Sequence, residues 1–140
     1  MAKQKLDNVL AAVPLFEGLS RRHLKHLADL AEVADYMEGH TIVKEGDDGD
    51  AFFVVLTGQA KISVGNKVIN RAMPGDHFGE ISLLDGQPRT ATVSSETPMT
   101  LLMLTRSAFM KALKQDTSIA MHLAASLAKR VRQNTRSLTA

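Results

Sequence analysis

Apolar positions along this chain change period twice. Leu6, Val9, Leu10 and Val13 fall at i, i+3, i+4 and i+7, the spacing of one face of an α-helix. Pro14 and Gly18, within VPLFEGLS, interrupt that pattern. Ser20 then stands where an N-cap belongs, ahead of a second helical stripe of Leu24, Leu27, Leu30 and Ala31. His23 and His26 lie one turn apart on this second helix. With no third ligand nearby they are expected on a solvated face rather than on a metal.

From about residue 32 to 104 the period shortens. Apolar runs at 41–44, 51–56, 60–64, 67–71, 90–94 and 99–104 are separated by EGDDGD, TG, GN, MPGD, DGQP and SSETP, all rich in turn formers. Gly65-Asn66 between two of the runs fits a two-residue hairpin. Six or more short strands with no long helices between them predict a closed or rolled antiparallel sheet. Helical spacing then returns. Thr105 can cap a helix carrying Ala108, Phe109, Ala112 and Leu113, and Asp116 can cap another. That last helix repeats Ile119, Leu123, Leu127 and Val131, with alanines keeping its surface slim. Such a stripe suits a swinging lid, a homodimer seam or plain packing on the sheet, and periodicity does not separate the three.

Composition narrows the class. The chain has 140 residues, 44% hydrophobic and 23% charged, enough for one domain with a core. It has no Cys, which excludes a disulfide scaffold, a thiolate nucleophile and a Cys-based zinc site. No stretch approaches the roughly 20 apolar residues of a membrane span, and the first residues lack a secretory pattern. One soluble, cytoplasmic domain is expected. Its formal charge of +2 gives no dense basic face for a specific nucleic-acid binder. Residues 117–140 carry Lys129, Arg130, Arg132 and Arg136 and no acid; subtracting that +4 from +2 leaves −2 for residues 1–116. The basic excess sits on the last helix.

The densest chemistry lies in PGDHFGEISLLDGQPRTATV, residues 74–93. A helical turn, Phe78 to Leu84, opens on Gly79 inside a β pattern, and Arg89 follows a Pro at the start of an apolar strand. A Gly at a helix start lets backbone N–H groups approach an anion, and Arg offers a planar fork that matches phosphate. Glu80 cannot face a phosphate without repulsion but can accept from sugar hydroxyls. Together these residues describe a site for a ribose-phosphate ligand. A Glu80–Arg89 ion pair stitching loop to strand accounts for them equally well.

FGEISLL followed by DGQPRTATV resembles the phosphate-binding cassette of the cyclic nucleotide-binding domain family, whose members include catabolite activators, kinase regulatory subunits and cyclic nucleotide-gated channels. VPLFEGLS, the turn at residues 46–50 and the two terminal helices extend the likeness over roughly residues 9–136. The resemblance implies an α+β, mainly β fold: an antiparallel, jelly-roll-like β-roll of eight strands flanked by N-terminal helices and two C-terminal helices. Residues 1–140 then form a single domain, with helices over 1–31, the roll and cassette over 32–104 and helices over 105–136. The resemblance assigns Arg89 to a cyclic phosphate, helped by backbone N–H groups around Ser82 and Thr90, and Gly79 and Glu80 to the ribose 2′-hydroxyl. Ile62, Ile69 and Phe78 supply apolar contact, and Ile81 and Ala91 complete the cassette set. The last helix closes over the base, through one of Arg130, Arg132, Asn134 and Thr135. At Thr90 the family's cyclic AMP binders generally have Ala, and a hydroxyl there reaches guanine in some cyclic GMP binders, yet some cyclic AMP-regulated members carry Thr; the resemblance implies cyclic AMP binding with cyclic GMP tolerated.

The function implied is a non-enzymatic sensor that needs no cofactor and relays occupancy through its last helix to an effector domain or protein. Two alternatives are a structural or interaction module of the same fold without ligand, and a metal-dependent barrel enzyme of the cupin type. For the second, His40, His77 and Glu80 are too few and badly spaced. EGDDGD lacks the alternating ligands and distal Glu of a calcium loop and reads as a polar turn. No phosphate-binding G-x-x-x-x-G-K motif and no G-x-S-x-G elbow is present.

Overall fold

The structure is a computed structural model that describes residues 6–135; the side chains of Ile81, Asn134 and Thr135 lie outside the described residues, as does the expected helix end at 136. Helix α1, Leu6–Ala11, ends sooner than its apolar pattern, and a 3₁₀ turn at Pro14–Phe16 follows. Val13 is buried just outside the helix, which its spacing alone does not reveal. Helix α2, Arg21–Leu30, starts where expected: the Ser20 hydroxyl accepts from the His23 N–H, satisfying one otherwise orphaned donor.

Eight strands follow in two four-stranded antiparallel sheets. One sheet orders β1 (Glu32–Tyr36), β8 (Met99–Thr105), β3 (Ala51–Thr57) and β6 (His77–Phe78); the other orders β2 (Thr41–Val43), β7 (Thr92–Ser95), β4 (Ala60–Val64) and β5 (Lys67–Ala72). The mainly β, antiparallel roll expected from the sequence is the architecture observed. Strands β1 and β6 had no apolar run to announce them. Every β1 residue is exposed or half-buried, and β6 has two residues. Gly65 and Asn66 form the β4–β5 hairpin turn.

The unbroken run AFFVV in β3 records burial on both faces. Phe52 and Val54 point to the helical side, where they join Phe16, Leu27, Leu102, Leu104, Phe109, Ile119 and Leu123. Ala51, Phe53 and Val55 point into the roll with Val93, Met99 and Leu101. Sheet one is therefore the shared wall between two cores.

Helix α3 (Glu80–Asp85) interrupts the strands, and α4 (Arg106–Gln115) and α5 (Thr117–Thr135) follow them. The Thr105 hydroxyl accepts from the Ala108 N–H, and the Asp116 carboxylate accepts from the Ser118 N–H. Asp116 also binds Arg22 at 2.9 Å, tying α2 to the α4–α5 joint. The histidine expectation on α2 holds only for His26, whose Nε2 meets Gln115 Oε1 at 2.8 Å on the surface. His23 is 3% exposed and bonds Ser118 Oγ at 2.7 Å, because α5 packs over the side of α2 that the expectation had left to solvent.

Candidate functional site

A cavity of about 530 Å³ opens on the roll where α3 meets the start of β7. That volume suits a ligand of nucleotide size. Gly79, Glu80 and Ser82 of the α3 turn border it, and Arg89, Thr90 and Ala91 form its far rim. Phe78, Ile62 and Ile69 supply apolar wall, with Ile69 exposed at the mouth. Val43, from the apolar run at 41–44, and Asp85, Gln87, Pro88 and Val93, from the DGQPRTATV stretch, also line it, although the sequence pattern assigned none of them a contact.

Arg89 is 8% exposed, yet no carboxylate among the described residues lies within ion-pair distance of it. Its Nη2 donates to the Ala51 carbonyl of β3. Burial pushes the guanidinium below its ordinary value, and the negative charge of Asp50 acts against that shift. Such a cation stays charged and leaves part of its donor fork for an anion. The expected alternative, a Glu80–Arg89 ion pair, is replaced: Glu80 Oε2 instead meets His77 Nδ1 at 2.6 Å. The cause is local geometry. Gly79 turns the chain into α3 with φ of 87°, and His77 and Glu80 come together across that turn.

The same glycine lets the arginine in. A Cβ at Gly79 would overlap Arg89 Nη1 and stand 2.9 Å from the Ala51 carbonyl oxygen. The acidic segment read as a polar turn does more than turn. Gly46 N–H donates to the Arg89 carbonyl at 2.9 Å, Arg89 N–H to the Asp47 carbonyl at 2.7 Å, and Gly49 N–H to the Gln87 carbonyl at 3.1 Å. Residues 46–49 thus clamp the arginine's backbone, and a side chain at Gly49 would overlap Ser82.

The His77–Glu80 bond raises the imidazole's pKa above 6.5 and lowers the carboxyl's below 4.5. The histidine's share of the pair's stability is full below pH 6.5 and fades as pH rises through the raised value. The carboxylate's share is full above pH 4.5 and fades as pH falls through the lowered value. Arg130, on α5, acts electrostatically on both groups. Its Nη1 is buried without a hydrogen-bond partner among the described residues. Of the other lid candidates, Arg132 is exposed, and the side chains of Asn134 and Thr135 lie outside the described residues. No group of three His or acidic residues among the described residues could hold a metal.

Residues 33–116 match the cyclic nucleotide-binding domain family. The chain belongs to that family. It is 36% identical over 108 residues to a cAMP-dependent protein kinase regulatory subunit of Eremothecium gossypii, covering 76% of this chain and 24% of the subunit. It is 28% identical over 138 residues to a CRP-like cAMP-activated global transcriptional regulator of Mycobacterium tuberculosis, covering 95% and 62%. Among solved structures, the N-terminal domain of a transcriptional regulator from Streptomyces coelicolor A3(2) superposes with a TM-score of 0.85 at 28% identity, covering 94% of this chain and 98% of that one. The chain therefore spans about a quarter of the length of the kinase subunit and under two thirds of the regulator.

Proposed function

We propose that residues 1–140 act as one non-enzymatic, cyclic nucleotide-sensing regulatory module that prefers cyclic AMP and tolerates cyclic GMP. The observation that carries this is Arg89, a buried guanidinium on the rim of a nucleotide-sized cavity with no carboxylate among the described residues at ion-pair distance. Removing a charge from water without a partner is costly, so a site that keeps one is built for an anion that arrives later. That supports the binding reading over a ligand-free module. Arg89 takes the cyclic phosphate with the N–H groups near Ser82 and Thr90, and Glu80 with the Gly79 backbone takes the ribose 2′-hydroxyl. Phe78, Ile62 and Ile69 pack the ribose and base, and Ile81 and Ala91 complete the cassette.

Occupancy is relayed by population shift: a ligand that touches α5 only when the helix is closed favours the closed helix. Arg130 is the favoured lid residue, because it already acts on Glu80 from α5. The effector is a kinase, DNA-binding or other partner that α5 contacts, and the helix's exposed Met121 and Val131 suit a second copy of the chain equally. No helix among the described residues is long and apolar enough to cross a membrane, and we assign the module to the cytoplasm.

Amide exchange with and without saturating cyclic AMP tests both halves. Binding should slow exchange in residues 78–93, and the relay should slow it in residues 117–135 as well. Protection confined to the cassette would remove the relay; no change anywhere would remove the binding.

A further inference from the structure

We propose that His77 is a positioning residue for Glu80, and that its protonation tightens the binding of an anionic nucleotide in the pocket. The inference rests on the cyclic nucleotide reading of that pocket. His77 itself does not border the cavity; it stands behind Glu80, which does. Its backbone is fixed by pairing with Val54 of β3, and its ring packs 5.9 Å from Phe52, so its 2.6 Å bond to Glu80 holds the carboxylate in one place. One carboxylate oxygen is thereby engaged, and a carboxylate keeps further acceptor positions for a ligand hydroxyl.

Charge decides the sign. With neutral His77 the pair presents −1 to the pocket; with imidazolium it presents zero. A cyclic phosphodiester carries −1 across the neutral range, so protonation removes a repulsion that Arg89 otherwise has to overcome. The groups facing His77 are Glu80 from α3, Asp76 from the preceding turn and Arg130 from α5; β3 offers only the uncharged Phe52 ring. The hydrogen bond to Glu80 and the charges of both carboxylates favour the proton, burial and Arg130 oppose it, and the net shift is upward. By linkage, an anion that binds better to the protonated form draws a proton onto His77 as it binds.

Calorimetric titration of the whole chain with cyclic AMP at pH 6 and pH 8, in buffers of different ionisation heat, reads both effects. Wild type should bind about threefold or more tightly at pH 6 and take up protons near pH 7. His77→Gln, which keeps a donor but cannot be protonated, should bind at both pH values with the wild-type pH 8 affinity and no proton uptake. His77→Lys, with a fixed charge, should bind at both with the pH 6 affinity. Equal wild-type affinity at both pH values, or a pH slope that survives in His77→Gln, overturns the proposal and leaves the pocket's function standing. No cyclic AMP binding at either pH overturns the pocket reading, and the proposal falls with it.

Discussion

Arg89→Ala is expected to cost about 2–5 kcal/mol of cyclic nucleotide affinity, thirty- to several-thousand-fold in Kd, because it strands a desolvated anion in the pocket. The folded, empty protein should lose far less. In the absence of ligand the side chain donates to the Ala51 carbonyl, and its charge sits 8% exposed with no carboxylate among the described residues at ion-pair distance. Removing such a group takes away one hydrogen bond and also one buried charge that no ion pair holds, and the two effects oppose each other. Thermal unfolding near the wild-type midpoint together with a collapsed affinity is the expected signature. Arg89→Lys should recover only part of the loss, since a point charge replaces a planar fork. An unchanged Kd in Arg89→Ala would end the assignment.

Gly79→Ala should damage both stability and binding. Its φ of 87° lies where L side chains are strained, at about 1–3 kcal/mol. The new methyl would also occupy the place of Arg89 Nη1, so the guanidinium has to leave its seat against β3. A lowered melting temperature and at least tenfold weaker cyclic AMP binding are expected, the latter from displacement of the phosphate-binding fork. Wild-type affinity in a destabilised Gly79→Ala protein would mean that the arginine's position in this fold is not what binds the ligand.

These two residues show how unevenly the site could be read from the chain. The stretch from Gly79 to Ala91 is local, so its spacing carries most of the pocket's chemistry in thirteen positions. The apolar runs likewise mark strands such as β3, whose burial on both faces only the structure shows. What escaped was set by tertiary contact. Strand β1 pairs with β8 through its backbone while its side chains stay largely outside, so no apolar pattern marks it. His77, set aside as a metal ligand for its spacing, has no role legible in sequence because the left-handed turn at Gly79 is what brings it onto Glu80. Residues 46–49 looked like a solvated turn because their acidic side chains are visible in sequence and their backbone bonds to residues 87 and 89 are not. His23 looked solvated because the helix that covers it comes a hundred residues later in the chain.

The most direct test of the central claim is a calorimetric titration of the purified chain with cyclic AMP and, separately, cyclic GMP at neutral pH. Saturable, one-to-one binding of cyclic AMP is expected, with cyclic GMP binding in the same pocket and more weakly. Cyclic GMP at least tenfold tighter would reverse the order assigned to the two nucleotides, and no binding heat from either would contradict the account itself.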